Sequence, residues 1–167
     1  MGIVSVADVS EEALNVNNLL QDVLSTIVSI FESYNVPLPN RQYWTVGQAA
    51  IDCEQLSVSL IQLYLGAPGD QASLPQKCNM PRSAVMTIVL AREIPVVGTN
   101  GRPPTAEKIS EGAEISAVDA WVLMQSINEL DQWEPGSFGL GTIATVDIPA
   151  PEGGFQAVTM QLTMAVP

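Results

Sequence analysis

The stretch from Phe155 to Val166, FQAVTMQLTMAV, alternates with a period of two. Val158, Met160, Leu162 and Met164 point one way, and Thr159, Gln161 and Thr163 point the other. Such a segment is predicted to be a strand with one face on a hydrophobic core. Its other face is polar but uncharged, whereas a wetted face usually carries Lys and Glu. Thr159, Gln161 and Thr163 therefore suit a face that meets another polar protein surface or lines a lumen, with an ordinary solvent-facing sheet as the alternative. The preceding TIATVDIP reads as its partner strand, joined through an APEGG turn.

A core-facing strand needs helices or a second sheet to cover it. From about Glu11 to Tyr34, apolar residues from Leu14 to Tyr34 recur at spacings of three and four, with Asn18, Asp22, Ser25 and Glu32 on the opposite side. This is an amphipathic helix, with Asp8 and Glu11 as a capping pair. Pro37 and Pro39 end it. RQYWTVG is a short strand candidate. EQLSVSLIQLYLG is a second strand, expected to be covered on one side at first and on both sides later. RSAVMTIVLARE is nearly all apolar and is expected to be a central strand.

The loop after it contains Asn100-Gly101, a hairpin signal if its flanks are extended. A second long helix follows from about Thr105 to Asp131, with Ile109, Ala113, Ala117, Ala120, Trp121, Met124, Ile127 and Leu130 as the expected inward stripe. Gly112 is a candidate bend or break. The order α-β-β-β-α-β-β predicts one α+β domain over residues 1–167, with residues 1–10 as a flexible lead-in. Its sheet, of about five strands, is expected to be mainly antiparallel, or mixed.

Charge constrains the partners. Only 14% of the 167 residues are charged, which is low for a chain exposing all of its surface to water. The net charge is −12. Residues 1–40 and 109–167 contain no base; all bases lie between Arg41 and Lys108. This disfavours direct nucleic-acid binding. It suits head-to-tail contact in which one copy's basic middle meets another's acidic flank, with chance segregation as the alternative. Arg82, Arg92 and Arg102 are candidates for inter-subunit ion pairs. The start of the chain lacks the pattern of a secretory signal, and no apolar run approaches membrane-spanning length. The chain therefore reads as cytosolic, a compartment in which Cys53 and Cys78 are expected to be free thiols, with a disulfide as the alternative.

Candidate chemistry is sparse. The sequence has no histidine, which removes Ser-His and Cys-His nucleophile pairs. GSFGLG and GTNGRPP match neither a Walker loop nor a dinucleotide fingerprint and read as turns. Asp52 and Glu54 lie two residues apart and are considered as a carboxylate pair for glycoside hydrolysis. They are also candidate interface residues. Cys53 has no sequence-adjacent base to activate it and reads as structural. Trp121 is expected in the core, and Trp44 and Trp133 are possible interface anchors. No catalytic residue, cofactor or metal site is predicted.

Three segments carry a resemblance: WTVGQAAIDCEQLSVSLIQLYLGAPG, CNMPRSAVMTIVLARE and RPPTAEKISEGAEISAVDAWVLMQSINEL. With Gly47, Asp52-Cys53-Glu54-Gln55, Cys78 and Asp119-Ala120-Trp121 as markers, the chain resembles the tail terminator proteins of long-tailed bacteriophages that infect actinobacteria. The resemblance implies an α+β subunit of a homohexameric ring at the head-tail junction of a virion, assembled in the host cytoplasm. Such a ring caps the tail tube, stops its growth and offers a docking surface to the head connector. DNA would pass through its lumen without specific binding, as an acidic wall favours. The implied partners are other copies of the chain, the tail tube protein and the connector. A head-completion or neck protein of the same particle fits the same features. A small hydrolase using Asp52 and Glu54 is a reading of a different class.

Overall fold

The structure, a computed structural model, describes residues 11–70, 81–97, 99, 101–131 and 142–166, the side chains of 11–15 and 131 excepted. Its elements follow the predicted order: α1 (Glu11–Ser33), β1 (Gln42–Val46), β2 (Gln55–Leu65), β3 (Arg82–Glu93), α2 (Ala106–Asp131), β4 (Ile143–Asp147) and β5 (Phe155–Val166). The strands form one sheet in the order β1-β2-β3-β5-β4. β1 runs parallel to β2, and the other three pairings are antiparallel. The fold is α+β with a mixed sheet, and apolar β3 lies at its centre.

Both helices pack on the same face of this sheet. Leu20, Val23, Ile27 and Phe31 of α1 and Val122, Leu123 and Leu130 of α2 join Leu56, Val58, Met86, Ile88, Leu90, Met160 and Leu162 in one buried cluster. Each fully buried side chain of this kind stabilises the fold by about 1.5–3 kcal/mol relative to exposure. At the end of α1, Asn35 takes a left-handed φ of 54° and Val36 N–H donates to the Phe31 carbonyl at 3.0 Å. This closes the helix before the prolines.

Three expectations are corrected. β2 is buried on both faces from Gln55 to Leu60 and then emerges, the reverse of the predicted order. β1 stops opposite Leu60, the register slips between Leu60 and Gln62, and Ile61 and Leu63 are left exposed. A slip of this kind ends regular pairing and re-aims the residues beyond it.

α2 is rotated from the predicted stripe. Ile109, Trp121 and Met124 are 56%, 50% and 54% exposed, while Ser116, Asp119 and Ser126 are buried with Val122 and Leu123. Polar residues on the inner side find local partners: Ser116 Oγ donates to the Gly112 carbonyl at 3.0 Å and Ser126 Oγ to the Leu123 carbonyl at 2.6 Å. The rotation places Asp119 against Arg92, so the acid is buried with a charged partner. α2 also runs unbroken through Gly112.

The loop flanking Gly101 joins β3 to α2, so it does not close a hairpin. Asn100, the other half of that signal, lies outside the described residues, as do Asp8, Cys78 and Trp133.

Candidate assembly surfaces

Paired residues on neighbouring strands point to the same side of a sheet. The pairings therefore place Thr45, Ser59, Thr87, Gln161 and Thr145 in one row across all five strands, on the face away from the helices. A second row on that face reads Tyr43, Ser57, Val89, Thr159 and Asp147, and a third contains Val85, Thr163 and Ile143. Thr159, Gln161 and Thr163 thus fall together, as their alternation predicted. Among the described strand residues, the charges on this face are Glu93 and Asp147, both at one end, and no base is present.

No described helix overlies this face, yet Ser57 and Ser59 are 0% and 1% exposed and Gly69, in the loop after β2, lies against Ile143. Their hydroxyls and Gln55 Oε1 find no hydrogen-bond partner among the described residues. Val89, Ala91 and Ala157 form a small second apolar cluster on the same side.

At the end of the sheet where β3 finishes, Arg92 clamps three elements. Its Nε donates to Asp119 Oδ2 at 2.5 Å, and its Nη2 donates to Asp119 Oδ1 at 2.9 Å and to the Pro37 carbonyl at 2.7 Å. Both ion-pair partners are largely shielded, Asp119 almost completely. The hydrogen bonds that Arg92 donates to Asp119 raise its pKa above the ordinary arginine range; burial opposes this, and the charges of Asp119 and Glu54 add to it. Arg92 is therefore engaged within the subunit, which removes it from the bases facing a neighbour. A cleft of about 470 Å³ opens beside this clamp, between the Asn35–Pro37 turn and α2. Its rim carries Glu54, Glu93 and Glu114 with Ile115 and Val118.

The Asp52-Cys53-Glu54 stretch is a bend before β2, not part of the strand. Asp52 pairs with Arg41 (Nη1 to Oδ1, 2.6 Å), while Glu54 Oε1 accepts from the Glu93 N–H at 3.1 Å. The two carboxylates are held by different partners, the Arg41 guanidinium and the Glu93 backbone. Cys53 is a free thiol. It lies 3.0 Å from Arg41 Nη1, a base that adjacency in sequence did not reveal. Arg41's pKa is raised first by its hydrogen bond with Cys53 and next by the charge of Asp52. The same guanidinium lies 5.1 Å from the Tyr43 ring centroid.

Arg82 opens β3, and Arg102 lies in the loop before α2; both are exposed. Trp44 is partly buried against the core and donates from Nε1 to Gln21 Oε1 at 3.0 Å. Sequence reasoning missed one surface. Ile115, Val118, Trp121 and Met124 form an outward apolar stripe on successive turns of α2, and Trp121 meets the Tyr34 ring edge-on at 5.0 Å. The available signal was Asp119, an acid set beside the stripe chosen as buried.

Among the described residues, no cluster of three or more His, Cys, Asp or Glu side chains forms a metal-ligand set. No described helix is long and apolar enough to cross a membrane. No protein-family model matches the chain, and no curated protein matches it significantly.

Proposed function

We propose that the chain is a structural subunit of a phage tail, a tail terminator that forms a ring on the finished tube, stops its growth and presents a docking surface to the head connector. The observation that carries this reading is the sheet face turned away from the helices. It is five strands wide, backed by two helices, and almost free of charge. A monomer in water gains from charged residues on such a face, whereas a ring wall in front of mobile DNA gains from lacking cations that would hold phosphates. The resemblance in the β1–β2, β3 and α2 segments points to the same role, and so does the scarcity of charge across the whole chain. In this reading the ring is a homohexamer at the head-tail junction, and DNA passes through without specific contacts.

The test is assembly of particles with and without the chain. Tails of uncontrolled length in its absence support a terminator. Normal tails on heads that leak DNA point to a neck protein. Normal tails on sealed heads sink both. Substrate turnover that disappears on changing Asp52→Asn and Glu54→Gln would support the hydrolase reading instead.

A further inference from the structure

The sheet has two outer edges, β1 and β4, and among the described residues no strand pairs with the outer side of either. An open edge invites another strand, and soluble monomers usually guard theirs with Lys, Pro or a bulge. Here β1 is QYWTV and β4 is IATVD: neither contains Lys or Pro, and Asp147 is their one charge. Both are five residues long. We propose that these edges join, β4 of one copy pairing antiparallel with β1 of the next, so that the sheets of successive copies become continuous. This rests on the ring reading above and names the joint between its subunits.

Direction and pleat favour this joint. β1 runs with β2 and β5, and β4 runs against β5, so copies placed side by side around an axis bring β4 and β1 together in opposite directions. The Arg41 carbonyl accepts from Leu56 N–H, and Gly47 N–H donates to the Leu60 carbonyl. The residues between them alternate in the same way, so Gln42, Trp44 and Val46 turn their backbone groups outward. On β4, an antiparallel strand at the other edge of the same sheet, Ala144 and Val146 do the same.

Pairing Trp44 with Val146 and Val46 with Ala144 then satisfies both edges and keeps every side chain on its own face. Val46, 69% exposed in one copy, gains cover against Ala144. On the open face Thr145 meets Thr45, which extends the hydroxyl and amide row from copy to copy. Asp147 comes opposite Tyr43 and beside Arg41, which already pairs with Asp52 and stacks on that ring. A two-fold joint of β1 with β1 or β4 with β4 leaves the second edge open. A head-to-tail joint leaves none once the ring closes.

The experiment uses the full chain with Cys53→Ser and Cys78→Ser as background and adds Thr45→Cys and Thr145→Cys. Directly opposed Cβ atoms sit about 4.5–5.5 Å apart, close to disulfide range. Oxidation at high protein concentration is expected to give a ladder of disulfide-linked oligomers ending at the closed ring. Thr145→Cys paired with Thr87→Cys should give none. Val46→Pro removes an outward N–H while sparing the β1–β2 ladder. It is expected to weaken self-association about tenfold with an unchanged Tm, and Val46→Asp checks the same edge without proline. Three results overturn the joint: rings that form without the Thr45–Thr145 link, dimers from Thr45→Cys alone, or a chain that stays monomeric at every concentration. None of these decides the terminator reading, which tail length tests separately.

Discussion

The two faces of the sheet are built from the same strands by alternate residues, yet they obey different rules. On the helix side, Val158, Met160, Leu162 and Met164 are buried against α1 and α2. On the other side, Thr159, Gln161 and Thr163 sit within rows of Thr, Ser and Val that cross to β1 and β4. The first face is filled by volume and tolerates little change. The second carries mostly small, uncharged side chains, and in the proposed ring it is the surface that something passes or meets. The difference separates what stabilises the subunit from what the subunit offers to others.

Breaking the clamp at the margin of the helix face should have the largest effect. Arg92→Ala leaves the buried Asp119 carboxylate unpaired, at an expected cost of about 3–5 kcal/mol in chemical denaturation. The double variant Arg92→Met with Asp119→Leu should recover much of that loss. Because Arg92's pKa is raised in the folded state, its contribution is complete at neutral pH. It is lost as pH climbs through the folded value in strong alkali. A Tm gain attributable to Arg92 that fades near neutrality would contradict this.

Next comes the core itself. Met160→Ala should cost about 2–5 kcal/mol, read from the urea midpoint. Its neighbours on the opposite face, Thr159→Ala and Gln161→Ala, should stay within about 0.5 kcal/mol. Equal losses on both faces would mean that the open face is also core. A sharper comparison adds charge. Gln161→Lys should leave monomer stability nearly unchanged but should slow DNA passage or retain DNA in assembled particles.

Trp121→Ala should give the smallest effect for so large a residue, about 1 kcal/mol or less, because half of the ring is already in water. A loss comparable to Met160→Ala would return Trp121 to the core.

The fold was readable wherever one periodicity had one cause. β5 alternates because one side is core and one is not, and α1 follows its heptad-like spacing because one side alone is apolar. Both were legible along most of their length, although Tyr34, at the end of the α1 stripe, is exposed. α2 was not, because its apolar residues nearly encircle it, and its rotation is decided by a residue on another element. Nothing near Asp119 in sequence announces Arg92, which stands on β3. The candidate site was partly legible for the same reason. Thr159, Gln161 and Thr163 share one strand and so appear together in sequence. Their row continues through Thr87, Ser59 and Thr45, which sit on three other strands and gain meaning only when register aligns them.

Local sequence alone determined the order of elements, the strand alternation and the scarcity of charge, because each follows from neighbours one to four residues apart. Tertiary structure decided the rotation of α2, the partners of Arg41 and Arg92, the early emergence of β2 and the length of the polar row. Those depend on contacts between residues far apart in the chain, whose energies exist only after the chain has brought them together.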